Sequence, residues 1–295
     1  MTRIEHVATS LGAADRVALI AGSGRLPVDV AEGLEAAGKP PFVILLEGEA
    51  VETGAFAPYE RISLPVEAIG GLVPLLRRNK ITHLVMAGGA ARRPKVTRIH
   101  WNFALLRLVP RVVAALAQGD NGLLSAIVHH LEDNGIKVLG PHEILPHLLA
   151  RAGPMTRARP QRADRRDLAA AMEAALAIGR LDVGQAAVAI GGRAVALEGI
   201  EGTDGLLERV RDLRSHGRLA GRARGVLVKC AKPGQEIRAD LPSIGPGTVE
   251  RAHAAGLAGV GVEAGRALVL DYAQTIERAD TLGLFVVGLE GATAP

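Results

Sequence analysis

A chain of 295 residues that is 48% hydrophobic and 22% charged can bury a core of its own, and it has the length at which chains divide into two domains. Aromatic residues make up only 2%, so the core must be built from Ala, Val, Leu and Ile, and platforms for stacking bases are too few for a nucleic-acid binder. With 35 Lys and Arg against 31 Asp and Glu the net charge is +4, which favours an anionic partner, and the single Cys230 excludes an internal disulfide.

In chain order, Met1 to Asp15 is charged and lacks a signal-peptide core, and no apolar run reaches the ~18–20 residues of a spanning helix, so a cytoplasmic protein is expected. Arg16 to Ala21 reads as a buried strand that runs at once into Gly22-Ser-Gly-Arg-Leu-Pro27 and a helix to Ala37. Gly22 and Gly24 would let backbone N–H groups approach a phosphate at a helix start, although Pro27 stands where a dinucleotide fingerprint has its third glycine. A plain strand-to-helix turn is the alternative. Strands follow at Phe42 to Leu46, with Glu47 and Glu49 behind it, and around Ile62, then a helix from Ala68 to Asn79 interrupted by Pro74. His83 to Met86 is a further strand, and Gly88 and Gly89 make a second glycine turn leading to Arg92-Arg93-Pro94. Two such turns after buried strands place ligand-facing backbone on one edge of a parallel sheet. Helices are expected over Trp101 to Leu116 and Gly122 to Asn134, with Asp120 and Asn121 as turn residues, and a strand over Ile136 to Leu139. His129 and His130 are adjacent, cannot share a helix face, and read as surface; His83 reads as structural.

Residues 1–150 therefore form a Rossmann-like parallel-sheet domain, and the Arg, Pro and Gly of residues 151–166 read as a linker. Residues 167–295 form a second, mixed-sheet α/β domain. It opens with an Ala-rich helix from Asp167 to Gly179, then a hairpin of Ala186 to Ile190 and Arg193 to Leu197 around Gly191-Gly192. Glu198-Gly-Ile-Glu-Gly-Thr-Asp204 precedes a helix from about Gly205 to Arg214, with Thr203 or Asp204 as its N-cap. Val226 to Val228 is a strand, Thr248 to Ala255 a helix, and Gly259 to Val262 and Ala267 to Leu270 are strands meeting near Ala264-Gly265. Asp271 caps a last helix, and Leu284 to Val287 closes the sheet.

The loop after Val228 holds Lys229, Lys232, Gln235, Glu236, Arg238 and Asp240, braced by Pro233 and Pro242. Interleaved acids and cations on a restricted backbone suit a metal-bound, multiply charged phosphate ligand, while a solvated loop of ordinary ion pairs is the alternative. Cys230, at the strand-to-loop junction, reads as a small buried filler.

Five segments in this order resemble the LpxI family of UDP-2,3-diacylglucosamine pyrophosphatases. They are Ile20-Ala-Gly-Ser-Gly-Arg-Leu-Pro27, Ala87-Gly-Gly89 to Arg93-Pro94, Ile178-Gly-Arg-Leu-Asp-Val-Gly-Gln185, Glu201-Gly-Thr-Asp204 and Lys232-Pro-Gly-Gln-Glu-Ile-Arg-Ala-Asp-Leu-Pro242. The ending Gly283-Leu-Phe-Val-Val-Gly288 is similar too. Two departures are visible: the Arg92-Arg93-Pro94 turn is one residue longer than the family's, and Asn121 stands where Gly-Asp-Asp is common. The resemblance implies a Mg²⁺-dependent or other divalent-metal hydrolase of lipid A biosynthesis that yields UMP and 2,3-diacylglucosamine 1-phosphate (lipid X), with the lipid lying between the domains. The family's essential aspartate corresponds to Asp240. Expected helpers at the metal are Glu236, Asp204 and Glu201, with Gly22, Gly24, Gly88, Gly89, Thr203, Lys232, Gln235 and Arg238 toward substrate. Peripheral contact with the inner membrane and a homodimer are compatible with that implication. An NAD(P)-dependent oxidoreductase built on the first glycine turn, and a non-enzymatic nucleotide-sugar or lipid binder, are the alternatives.

Overall fold

Strands buried on both faces read as unbroken apolar runs, and such runs make the middle of two sheets. In the computed structural model, which describes residues 11–47, 53–89, 120–217, 219 and 224–291, the first sheet is built from β1 (Val17–Ala21), β2 (Phe42–Leu46), β3 (Arg61–Leu64), β4 (His83–Ala87) and β5 (Lys137–Leu139). All pairings are parallel and the order is β3-β2-β1-β4-β5. The chain thus steps outward from β1 through β2 to β3, then returns to lay β4 against β1's other side. The gap between β1 and β4 is the point where the winding reverses, the usual ligand position of open α/β sheets. Helices α1 (Leu26–Ala36), α2 (Leu72–Arg78) and α3 (Asp120–Asp133) and the single turn α4 (Pro141–Ile144) serve this sheet. Pro74 lies in the first turn of α2, where its missing N–H has no intrahelical partner to lose. A 3₁₀ segment, Val66–Gly71, takes the place of that helix's expected beginning. The Arg92-Arg93-Pro94 turn, the helix over Trp101 to Leu116 and Glu49 lie outside the described residues.

The second sheet is mixed, in the order β6-β13-β11-β9-β7-β8. Its strands are β6 (Gly153–Pro154), β7 (Ala186–Ala189), β8 (Ala194–Leu197), β9 (Val226–Lys229), β11 (Gly259–Glu263) and β13 (Phe285–Leu289). Strands β9, β11 and β13 are parallel, while β6, β7 and β8 run against their neighbours. Helix α5 (Arg162–Arg180) covers one face through Leu168, Ala171 and Ala175. On the other face α6 (Gly202–Ser215) and α7 (Pro246–Ala254) bring Leu206, Val210 and Val249 onto Val188, Leu227 and Val260, and α8 (Tyr272–Thr281) brings Ala279. The hairpin turn falls on Gly191 and Gly192 at φ 68° and 84°, the paired left-handed conformations that twist-matched two-residue turns require.

Three expectations change. Leu268–Val269 (β12) does not return along β11 but pairs in parallel with β10 (Ser243–Ile244) as a separate two-stranded sheet. Strand β13 is not the last of its sheet, because β6, from the segment read as a linker, pairs outside it at Val287 and Gly288. Helix α5 begins inside that same segment, at Arg162, because Asp164 accepts the Gln161 N–H at 2.8 Å and starts the helix early.

By internal contact the chain divides into one unit that runs to His147 and also includes Arg238–Asp240, and another of Leu148–Ile237 with the residues from Leu241 onward. In the first unit burial pushes the imidazoles of His83 and His142 below their ordinary value. Nδ1 of His142 is buried without a hydrogen bond, and His83 meets Thr82 Oγ1 at 2.8 Å. A depressed folded pKa means the unfolded chain binds the proton more readily. The stabilisation is therefore complete above the unfolded value of about 6.5 and is lost as pH falls through the lower folded values. Thermal midpoints should drop as pH falls below about 6.5, and His142→Gln should flatten part of that slope; a midpoint independent of pH there would contradict the assignment.

Candidate functional site

Each sheet carries its unusual residues on the carboxyl edge of its parallel strands. In the first unit Gly22 and Gly24 follow β1, and Gly88 and Gly89 follow β4, at the reversal point. The two turns bind each other: Gly22 N–H donates to the Ala87 carbonyl at 2.8 Å, Ser23 N–H to Gly89 at 2.8 Å and Gly89 N–H to Ser23 at 3.0 Å. A Cβ on Gly22 would strike the Gly89 carbonyl, and one on Gly88 would lie 2.8 Å from the Pro27 ring. These glycines are thus required for close approach of turn to turn, and Pro27 occupies the space against Gly88. The backbone donors read as phosphate ligands are engaged in this bridge at Gly22, Ser23 and Gly89.

In the second unit the antiparallel β7 brings its beginning beside the end of β9, with Ala186 opposite Lys229, and β8 ends on β7's other side, with Leu197 opposite Ala187. Three loops therefore meet at one edge: residues 181–185, 198–203 and 230–236. Glu198, 6% exposed, joins the first two by accepting Gln185 N–H at 2.7 Å and the Thr203 hydroxyl at 2.6 Å. Any side chain at Gly184 would collide with the Glu198 carbonyl. Thr203 is accordingly not the N-cap of α6. That place falls to Glu201, with no side-chain cap bond, and Thr203 and Asp204 lie inside the first turn. The amide oxygen of Gln185 is buried with no hydrogen-bond partner.

Lys232 Nζ meets Asp182 Oδ1 at 2.5 Å, both side chains mostly buried. Asp182 holds a left-handed backbone at φ 53°, strain that non-glycine residues bear where surrounding contacts enforce it. Gln235 closes the turn it belongs to, its side chain accepting Lys232 N–H at 2.8 Å while its own N–H donates to the Lys232 carbonyl at 3.0 Å. Glu263, at the end of β11, accepts the Ala231 N–H at 3.0 Å. Cys230, 1% exposed, has its thiol pushed up to about 12 by burial. It should resist thiol reagents in the native protein and react at once in denaturant; rapid labelling of the folded chain would disprove that burial.

Of the charged loop's remaining residues, Glu236 belongs to the second unit and Arg238 and Asp240 to the first. Ala239 packs on its core among Leu131, Val128 and Val138, and Arg238 pairs with Glu132 of α3 at 2.5 Å. Asp240 and Glu236 are half-buried. Glu201 pairs with Arg209 at 2.7 Å, and the exposed Asp204 with Arg251 at 3.3 Å. Among the described residues no three or more His, Cys, Asp or Glu side chains gather as a metal nest. Asp182, Gln185 and Glu198 were not singled out from sequence. The Gly-Arg-Leu-Asp-Val-Gly-Gln motif contained two of them, but their partners lie 13 to 50 positions away.

Fold and edges together define a two-unit α/β protein: one Rossmann-type sheet with paired glycine turns at its reversal point, and one mixed sheet with a charged carboxyl edge. The chain belongs to the LpxI family. Its residues 16–148 match the LpxI N-terminal domain and 151–287 the LpxI C-terminal domain. It is 37% identical over 282 residues to the UDP-2,3-diacylglucosamine pyrophosphatase LpxI of Caulobacter vibrioides, covering 95% of this chain and 99% of that one. Among solved structures, CobK precorrin-6A reductase aligns over 95% of this chain and 89% of its own at 15% identity, with a TM-score of 0.33, too low to speak for a common fold.

Proposed function

We propose that this chain hydrolyses the diphosphate of UDP-2,3-diacylglucosamine to UMP and 2,3-diacylglucosamine 1-phosphate, as a step in lipid A biosynthesis. The observation that carries this is 37% identity over nearly the whole of both chains to a protein of that name. A diphosphate repels an incoming water, so the protein's task is positioning and charge neutralisation around an in-line displacement. Lys232, held by Asp182, and Arg238, held by Glu132, supply cations whose orientation is set before substrate arrives. Glu198 fixes the Thr203 hydroxyl and the edge it stands on.

Mg²⁺ takes oxygen ligands, commonly one or two carboxylates, and completes its shell with water and phosphate oxygens. By the family resemblance Asp240 would hold the ion, with Glu236, Glu201 and Asp204 as further oxygen donors; Glu201 and Asp204 each already face an arginine. When bound, the ion neutralises charge on the phosphate oxygens. Incubation of the chain and Mg²⁺ with UDP-2,3-diacylglucosamine should release UMP, whereas a binding protein would return the substrate intact.

A further inference from the structure

Five large hydrophobic side chains are exposed among the described residues; three of them lie on two adjoining loops of the second unit, and a fourth, Leu197, ends β8 at the start of one of these loops. Leu181 and Val183 are 74% and 53% exposed, Leu197 and Ile200 41% and 96%. The loops are tied side by side through Glu198, whose carboxylate takes Gln185 N–H from one and the Thr203 hydroxyl beyond the other. The left-handed turn at Asp182, pinned by Lys232, sets Leu181 and Val183 on either side of it. Single exposed apolar residues are ordinary; four together beside a charged edge are not.

We infer that this pair of loops docks on a phospholipid bilayer, inserting Leu181, Val183 and Ile200 among the headgroups. The choice of a lipid surface rests on the proposed amphiphilic substrate, which resides in one. Four side chains offer a few hundred Å² at most, well short of the roughly 800 Å² per partner that a stable protein interface buries. That amount is enough for shallow interfacial insertion, where each buried apolar group contributes independently. Charge does not oppose it. Asp182 and Glu201 each face a cation, Glu198 is buried, and the exposed Arg180 next to Leu181 adds a cation suited to lipid phosphates.

The test is flotation of the full chain with vesicles of phosphatidylcholine and phosphatidylglycerol, comparing wild type with Leu181→Ser/Ile200→Ser. Vesicle partition should fall at least roughly tenfold in the variant, with thermal midpoint and solution mass unchanged. Equal partition, or a wild type that does not float, overturns the inference. So does a variant that loses a dimer present in the wild type, because the patch would then be an interface between copies. Turnover separates the two proposals: substrate dispersed in detergent should be hydrolysed equally by both proteins, and substrate held in vesicles more slowly by the variant. If neither form is hydrolysed by wild type, the proposed function fails while flotation still decides the patch.

Discussion

Asp240→Asn should lower the rate of UMP release by roughly 10²–10³-fold, the loss expected when one preorganised charged group is removed from a phosphoryl-transfer site. The substitution is isosteric and the position half-buried, so the fold has little reason to respond. Ala239 still packs on the first unit's core, and Arg238 still has Glu132. Circular dichroism and thermal midpoint should match wild type while turnover collapses. Near-normal turnover would remove Asp240 from the chemistry.

The largest stability effect should come from Asp164→Ala. Asp164 is 1% exposed, accepts Arg224 Nε at 3.0 Å and Nη2 at 2.6 Å, and also receives the Gln161 N–H that starts α5. Its loss removes the N3 acceptor of the N-cap N–H, a hydrogen bond worth about 1 kcal/mol, and charge-assisted bonds, worth about 1.5–3 kcal/mol. Arg224 is 44% exposed and regains water, which keeps the total to about 2–4 kcal/mol rather than the larger cost of stranding a buried charge. Denaturant titration reads this directly; a loss under about 1 kcal/mol would show that the pair contributes little beyond what solvent supplies.

Strands such as Phe42–Leu46 and Val226–Lys229 were readable because a parallel strand buried on both faces is a continuous apolar run, and Gly191-Gly192 announced its own turn. Strands β10, β12 and β6 have two residues each, too few to carry a period, so neither the small separate sheet nor the true edge strand could be foreseen. The site shows the same division. Its charged loops stood out by composition, but what each side chain touches is decided by distant partners: Asp182 for Lys232, Glu132 for Arg238, Glu198 for Thr203. Local propensity favoured Thr203 as a cap, and a buried carboxylate five residues earlier took its hydroxyl instead. The glycine turns were recognised as close approaches, yet what approaches Gly22 is Gly89.

Mass spectrometry of the products formed from UDP-2,3-diacylglucosamine in ¹⁸O-water, with Mg²⁺ and with excess chelator, tests the central claim most directly. UMP and 2,3-diacylglucosamine 1-phosphate should appear in equal amounts with Mg²⁺, the label residing in the sugar phosphate because the family resemblance implies water attack on the sugar-side phosphorus, and neither should form under chelation. Intact substrate in both reactions, or equal turnover without a divalent cation, would contradict it.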